Sequence, residues 1–102
     1  EGSVALEAQA ILADSTVVAA FETISAQELL VPDKSIDSDV VVCADDEQAK
    51  ELVMGLAEKI QGVRAVNGGG LHNARYVEDF TALLLNINRI YKAHSTVKIV
   101  GI

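Results

Sequence analysis

The run Asp39-Val40-Val41-Val42-Cys43-Ala44, a helix-periodic stretch behind it, and then Val63-Arg64-Ala65-Val66 constrain the fold more than anything else in the chain. A short, β-branched apolar run reads as a strand covered on both faces. The stretch behind it places Ala49, Leu52, Val53, Leu56, Ala57 and Ile60 at i, i+3, i+4, i+7, i+8 and i+11. That is one apolar stripe of a helix, opened by Asp45 or Asp46. Gln48 follows Asp45 by three residues, the spacing of a capping box, and Gly62 is placed for the C′ position. Strand, helix and strand in this succession form a unit whose two strands run parallel.

The flanking segments extend the same alternation. Ser3 can cap a first helix with Val4, Ala8, Ile11 and Leu12 on one face, ended by Asp14-Ser15. Residues 16–21 read as a further buried strand, and Ser25 can cap a single turn over 26–30 before the loop Pro32-Asp33-Lys34-Ser35. After Gly68-Gly69-Gly70 a long helix runs over 71–91, with Leu71, Ala74, Val77, Phe80, Leu84, Ile87 and Tyr91 on one face. Leu83 and Leu85 point elsewhere, so 82–90 is apolar around most of its circumference and calls for burial in the domain or against a partner. Residues 97–100 close the chain as a last strand. The expected fold class is α/β: a Rossmann-like, partly parallel sheet flanked by helices, in one domain over 1–102.

Composition narrows the functions open to such a domain. Half the residues are apolar but only four are aromatic, so the core is aliphatic. The net charge of −7 speaks against a nucleic-acid backbone or an anionic membrane as partner, since both require clustered Lys and Arg. The charge is uneven: residues 1–50 carry eleven acids against Lys34 and Lys50, whereas 51–102 carry four acids against six bases. An anionic ligand is better matched to the second half. The single cysteine, Cys43, cannot form an internal disulfide, which fits a reducing, cytoplasmic setting. No apolar run reaches the ~18 residues of a membrane span, and no signal peptide opens the chain. The lack of an initiator Met gives the expectation of a processed or excised piece.

Chemistry-bearing motifs are sparse. Neither a Gly-x-Gly-x-x-Gly turn after a strand nor a Gly-Lys-Ser/Thr loop is present, so both phosphate-binding fingerprints are missing. Gly68-Gly69-Gly70 admits two readings, a turn that needs positive φ or an anion cradle at a helix start, and the turn requires nothing further. His72, His94 and Cys43 lack metal-ligand spacing, so no metal site is expected. Cys43 in an apolar strand reads as a small hydrophobe, and Asp45-Asp46-Glu47 as helix-capping acids. No catalytic nucleophile or acid–base pair is identified. Thr81 sits mid-helix before the apolar run, with Asn86 and Asn88 beyond it. Its hydroxyl is expected to bond the preceding turn, and at least one Asn to find a buried partner.

Three stretches together carry a resemblance: Ala19-Ala20-Phe21-Glu22-Thr23-Ile24-Ser25-Ala26; Asp39 through Asp46; and Gly69-Gly70-Leu71-His72-Asn73-Ala74-Arg75 with Thr81-Ala82-Leu83-Leu84-Leu85-Asn86-Ile87-Asn88-Arg89. In this order and spacing they resemble the carboxyl-terminal half of coenzyme F420-dependent NADP oxidoreductases, over nearly the whole chain. The resemblance implies an enzyme that transfers hydride between NADP(H) and the deazaflavin coenzyme F420. It implies that the amino-terminal Rossmann half, with its nucleotide fingerprint, is absent here, so that the isolated chain is inactive. It implies a homodimer, and cofactor contacts at Thr23, Ile24, Ala26 and Thr81. Glu22 departs from the family's usual His or Asn, Ala82 from its Pro, and Gly70 from another Pro. Two other readings stay open: a non-catalytic association domain, and part of a related NADPH-dependent metal or flavin reductase.

Overall fold

Alternation along one strand divides the molecule into two layers. In the computed structural model, which describes residues 2–102, strand β1 (Ser38–Val42) pairs in parallel with β2 (Val63–Asn67), from Ser38 opposite Val63 to Val42 opposite Asn67. Helix α3 (Glu47–Ala57) makes the crossover between them. Val40 and Val42 point to one side, into a cluster with Ile24, Ile36, Ala57 and Val63. Val41 and Cys43 point to the other, into a cluster with Ala5, Ala19, Leu71 and Ala74. Period-2 alternation in a strand covered on both faces produces this division. Helix α3 covers the first face. The second is covered by α1 (Val4–Ile11) and by α4 (Ala74–Tyr91), which a short 3-10 turn, Leu71–Asn73, introduces.

The caps follow the sequence in part. Ser3 accepts from the Leu6 amide at 3.0 Å, and Ser25 accepts from the Gln27 amide at the start of the four-residue α2 (Ala26–Leu29). Asp46, not Asp45, caps α3 by accepting from Ala49 at 2.9 Å, so the Asp45–Gln48 capping box does not form. Gly62 lies beyond the C′ position of α3, at φ +91°, where an added Cβ would meet the Ile36 carbonyl oxygen at 2.5 Å.

Several expectations are corrected. Residues 16–21 make only one antiparallel bridge, Ala19 with Cys43, because Phe21 turns out of the extended region at φ +71°. Residues 97–100 form no strand. The Val97 carbonyl accepts from the Asp39 amide at 2.7 Å, but the Ile99 amide donates to the Asp39 carboxylate at 2.7 Å. Arg64 donates to the carbonyls of Ile99 and Ile102 at 2.7 and 2.6 Å. Side chains thus take the backbone groups that a ladder would use.

The helix faces are also rotated from those expected. In α3, Leu52 and Leu56 are exposed, while Val53, Met54, Ala57 and the buried Lys50 face inward. The Lys50 ammonium can be buried because it donates to Glu47 at 3.2 Å and to the Asn67 side chain at 3.1 Å. Val4, Ile11 and Leu12 of the first helical segment are exposed, and Ala5 is the buried position. In α4 the inward line runs through Ala74, Val77, Thr81 and Leu84, whereas Phe80 and Tyr91 turn outward. The segment 82–90 is not buried in the domain: Leu83, Leu85 and Ile90 are 50%, 60% and 72% exposed.

Candidate functional site

A cleft of about 370 Å³ opens between the 22–27 segment and the second half of α4. The left-handed Phe21 redirects the chain after the Ala19 bridge, so residues 22–26 run across α4 instead of continuing as a strand. The Thr81 hydroxyl fixes that crossing. It donates to the Val77 carbonyl, one turn back, and to the Glu22 carbonyl, each at 3.1 Å. The expected bond to the preceding turn is therefore present, together with a tertiary one. Thr23 and Ile24 are buried, and Leu84 supplies apolar surface from the helix.

The far wall is set by the end of α4. Lys92 adopts a left-handed conformation at φ 52° and reverses the chain. Asn88 then accepts from the Ser95 amide at 2.7 Å and from the Ser95 hydroxyl at 2.5 Å. This pins His94 and Ser95 over the cleft. Asn88 is the half-buried polar residue with a defined partner; Asn86 is exposed and accepts from Arg89 at 3.1 Å.

The structure brings all four candidate residues, Thr23, Ile24, Ala26 and Thr81, into the lining of this one cleft. Sequence reasoning did not place Leu84, Leu85, Asn88, His94 and Ser95 there. The polar Asn88 within an apolar run was the available signal, and the left-handed Lys92 that folds His94 back carried none.

Glu22 sits at the edge of the cleft and also lines a second hollow with Val4, Glu78 and Thr81. Its Oε1 is buried and has no hydrogen-bond partner among the described residues. Burial raises its pKa above the ordinary value, its own backbone amide opposes that, and the Glu78 carboxylate adds to it. Glu78 is engaged as the acceptor for the Val4 and Ala5 amides at 2.8 and 3.2 Å, at the start of α1. Burial, then the charge of Glu22, pushes the Cys43 thiol up, against a smaller opposing effect of Lys50. A buried thiol with a raised pKa packs and does not attack.

The glycine turn does not present an anion cradle. The Gly69 amide donates to the Asn67 side chain at 2.8 Å and the Leu71 amide to Asp45 at 2.9 Å. Asp45 thus places a carboxylate where an anion would need donors. Gly69, at φ +89°, supplies the turn conformation instead.

Two of the six bases of the second half are paired with carboxylates away from the cleft. Arg64 forms a two-pronged pair with the fully buried Asp39, and Lys98 pairs with Asp37 at 2.8 Å. The hydrogen bonds from Arg64, partly opposed by burial, hold the Asp39 carboxyl below its usual range. Among the described residues no His, Cys, Asp and Glu side chains gather as a metal site, and no helix is long and apolar enough to cross a membrane.

Comparison with known proteins bears out the sequence resemblance. The chain is 42% identical over 96 residues to the F420-dependent NADP reductase of Methanocaldococcus jannaschii, an alignment covering 94% of the chain and 43% of that protein. It is 47% identical over 90 residues to the protein of that name from Methanothermobacter thermautotrophicus, covering 86% of the chain and 39% of the relative. The Methanothermobacter marburgensis protein of the same name is 46% identical over 90 residues. The chain thus spans about two fifths of the length of these relatives. A crystal structure from Arthrobacter sp. FB24, solved as a candidate F420-dependent NADP-reductase, superposes with a TM-score of 0.85. That match covers 97% of this chain and 46% of the other at 20% identity, and it shows the α/β fold. No protein-family model matches the sequence.

Proposed function

We propose that this chain is the carboxyl-terminal, coenzyme-binding and dimerising part of an oxidoreductase that transfers hydride between NADP(H) and coenzyme F420. The observation that carries the reading is the convergence of Thr23, Ile24, Ala26 and Thr81 on one cleft. Relatives named F420-dependent NADP reductases support it independently. The cleft lies within the ~300–1,000 Å³ range of small-molecule sites. Ile24 and Leu84 offer buried aliphatic surface to the face of a planar ring, and the Thr, Ser, Asn and His side chains around them offer neutral polar groups to its edge. Neither Lys nor Arg lines it, so it suits the ring portion of a cofactor better than its phosphates.

When bound, the nicotinamide and the deazaflavin supply the hydride chemistry themselves. The chain's contribution is positional. Thr81 holds the 22–26 segment against α4, and Ile24 and Leu84 supply dry surface that excludes water. Asn88 keeps His94 and Ser95 over the opening. Such pre-positioning is the main contribution a protein can make to transfer between two bound rings. The nucleotide phosphates are assigned to an amino-terminal Rossmann half, a cytoplasmic setting fits the reading, and the dimer contact is assigned to the outward face of α4. Leu83, Ile90 and Tyr91 expose apolar surface there, and a second copy would cover it.

The test mixes the 102-residue chain with NADPH and oxidised coenzyme F420 and follows the deazaflavin absorbance. Binding without turnover is expected, with turnover only after a Rossmann half is supplied. Sustained turnover by the chain alone would overturn the assignment of roles. Sedimentation addresses the association separately: a strict monomer at micromolar concentration contradicts the dimer.

A further inference from the structure

The buried Oε1 of Glu22 has no hydrogen-bond partner among the described residues, and the one donor directed at its carboxyl is its own backbone amide. The single hydrogen of the Thr81 hydroxyl is directed at the carbonyls of Val77 and Glu22. Glu78, facing it from α4, is an acceptor already engaged by the Val4 and Ala5 amides. From the end of β1 the nearby titratable group is the Cys43 thiol, and from the segment after α4 it is His94 in the same cleft. Val4 is what α1 contributes beside it. Neither Lys nor Arg lines either hollow. An acceptor buried without a donor is costly, and in native structures such a group usually meets one from a ligand or water.

We propose, on the basis of the ring-binding function above, that Glu22 selects which ring edge enters the cleft. Its Oε1 accepts a hydrogen bond from an N–H on a neutral edge of the ligand. Two sources share that chemistry, the imide of a deazaflavin and the carboxamide of a nicotinamide. The bond is strongest to the ionised carboxylate, so the ligand favours the charged form that burial and Glu78 disfavour. Affinity therefore rises as pH rises through the raised pKa of Glu22, upward from its ordinary 4.5. Within that window, binding releases a proton.

The experiment titrates the chain and its Glu22→Gln variant with 5-deazariboflavin and with nicotinamide mononucleotide across that pH range. Parallel arms use the N3-methyl deazaflavin and the acetylpyridine analogue of the mononucleotide, each lacking the N–H. The wild type should tighten about fivefold with rising pH for one intact probe. Glu22→Gln should be flat over the same range, and about fivefold weaker near neutrality. The blocked form of that probe should lose the advantage in the wild type, which identifies the edge. Separately, the carboxyl 13C signal of Glu22 should titrate at lower pH once the probe is bound. His94 is common to both proteins, so a pH dependence that survives in Glu22→Gln overturns the inference while leaving ring binding intact. So does indifference to N–H blocking in both arms. If neither ring binds the folded chain at any pH, the ring-binding function fails, and this inference with it.

Discussion

Thr81→Val tests the link between fold and site most directly, because it removes one hydroxyl and nearly nothing else. Valine matches threonine in shape and has similar helix propensity, so the helix itself contributes little to the change. The hydroxyl reaches the Val77 and Glu22 carbonyls, each at 3.1 Å. Val77 retains its place in the helix ladder, but the Glu22 carbonyl loses its side-chain donor. A typical net cost for such a bond is about 1 kcal/mol. For a domain of about 100 residues this lowers the thermal midpoint by about 4–8 °C. Thr81→Ser keeps the hydroxyl and removes a methyl from a half-buried position, so it isolates the hydrogen bond from packing. Thermal and urea unfolding of the two variants provide the measurement, with deazaflavin titration beside them. Loosening the 22–26 segment by about 1 kcal/mol weakens ring binding about fivefold if that energy reaches the bound state. The reasoning is refuted if Thr81→Val unfolds with the wild type, or if Thr81→Ser is destabilised as much as Thr81→Val.

Other expected outcomes follow from single contacts. Gly62→Ala combines a left-handed backbone with a Cβ 2.5 Å from the Ile36 carbonyl oxygen. It should cost about 2–5 kcal/mol, read by urea unfolding, and a loss under about 1 kcal/mol would contradict this geometry. Asp39 is held below its ordinary 3.8 by Arg64, so its contribution to stability is complete above that value and is lost as pH falls through the lower folded value. Asp39→Asn should be less stable than wild type at neutral pH, and the difference should shrink in acid as the wild-type carboxyl is protonated; a gap unchanged down to acid unfolding would be the contrary result.

Periodicity recovered the strand–helix–strand unit because β1 is covered on both faces, and a run such as Val40–Val42 has few other uses. It misjudged which way α3 faces. Apolar spacing treats a lysine as an outward residue, yet Lys50 is 3% exposed because Asn67, at the end of β2, accepts a hydrogen bond from its ammonium. That partner is 17 residues away and leaves no periodic trace. The same blindness produced the false strand at 97–100, whose amide at Ile99 is taken by a carboxylate 60 residues earlier. At the site, spacing alone could not bring residues 23–26 to Thr81. The resemblance did that, and the geometry adds the reason, a left-handed Phe21 that turns the chain across α4. The unsatisfied oxygen of Glu22 was beyond either method, since it depends on what every neighbouring donor is already doing.

The charge distribution leads to a different conclusion in three dimensions from the one read along the sequence. The second half carries the excess of bases, which pointed to an anion there. Folding directs Arg64 to Asp39 and Lys98 to Asp37, while Lys50 from the first half is turned inward to Asn67. The cleft itself is lined by Glu22 and by neither Lys nor Arg, in a chain of net charge −7. An anionic cofactor therefore meets repulsion at long range and attraction only at its ring. Raising salt from about 20 mM to about 500 mM shortens the screening length from roughly 20 Å to roughly 4 Å and weakens that repulsion. Coenzyme F420 should consequently bind this chain no more weakly in high salt, and somewhat more tightly, while neutral 5-deazariboflavin should respond little. Titrating both ligands at the two salt levels decides the matter. F420 binding that falls several-fold with salt would mean that a cation on this chain holds its phosphate, against the arrangement of Arg64, Lys98 and Lys50 described above.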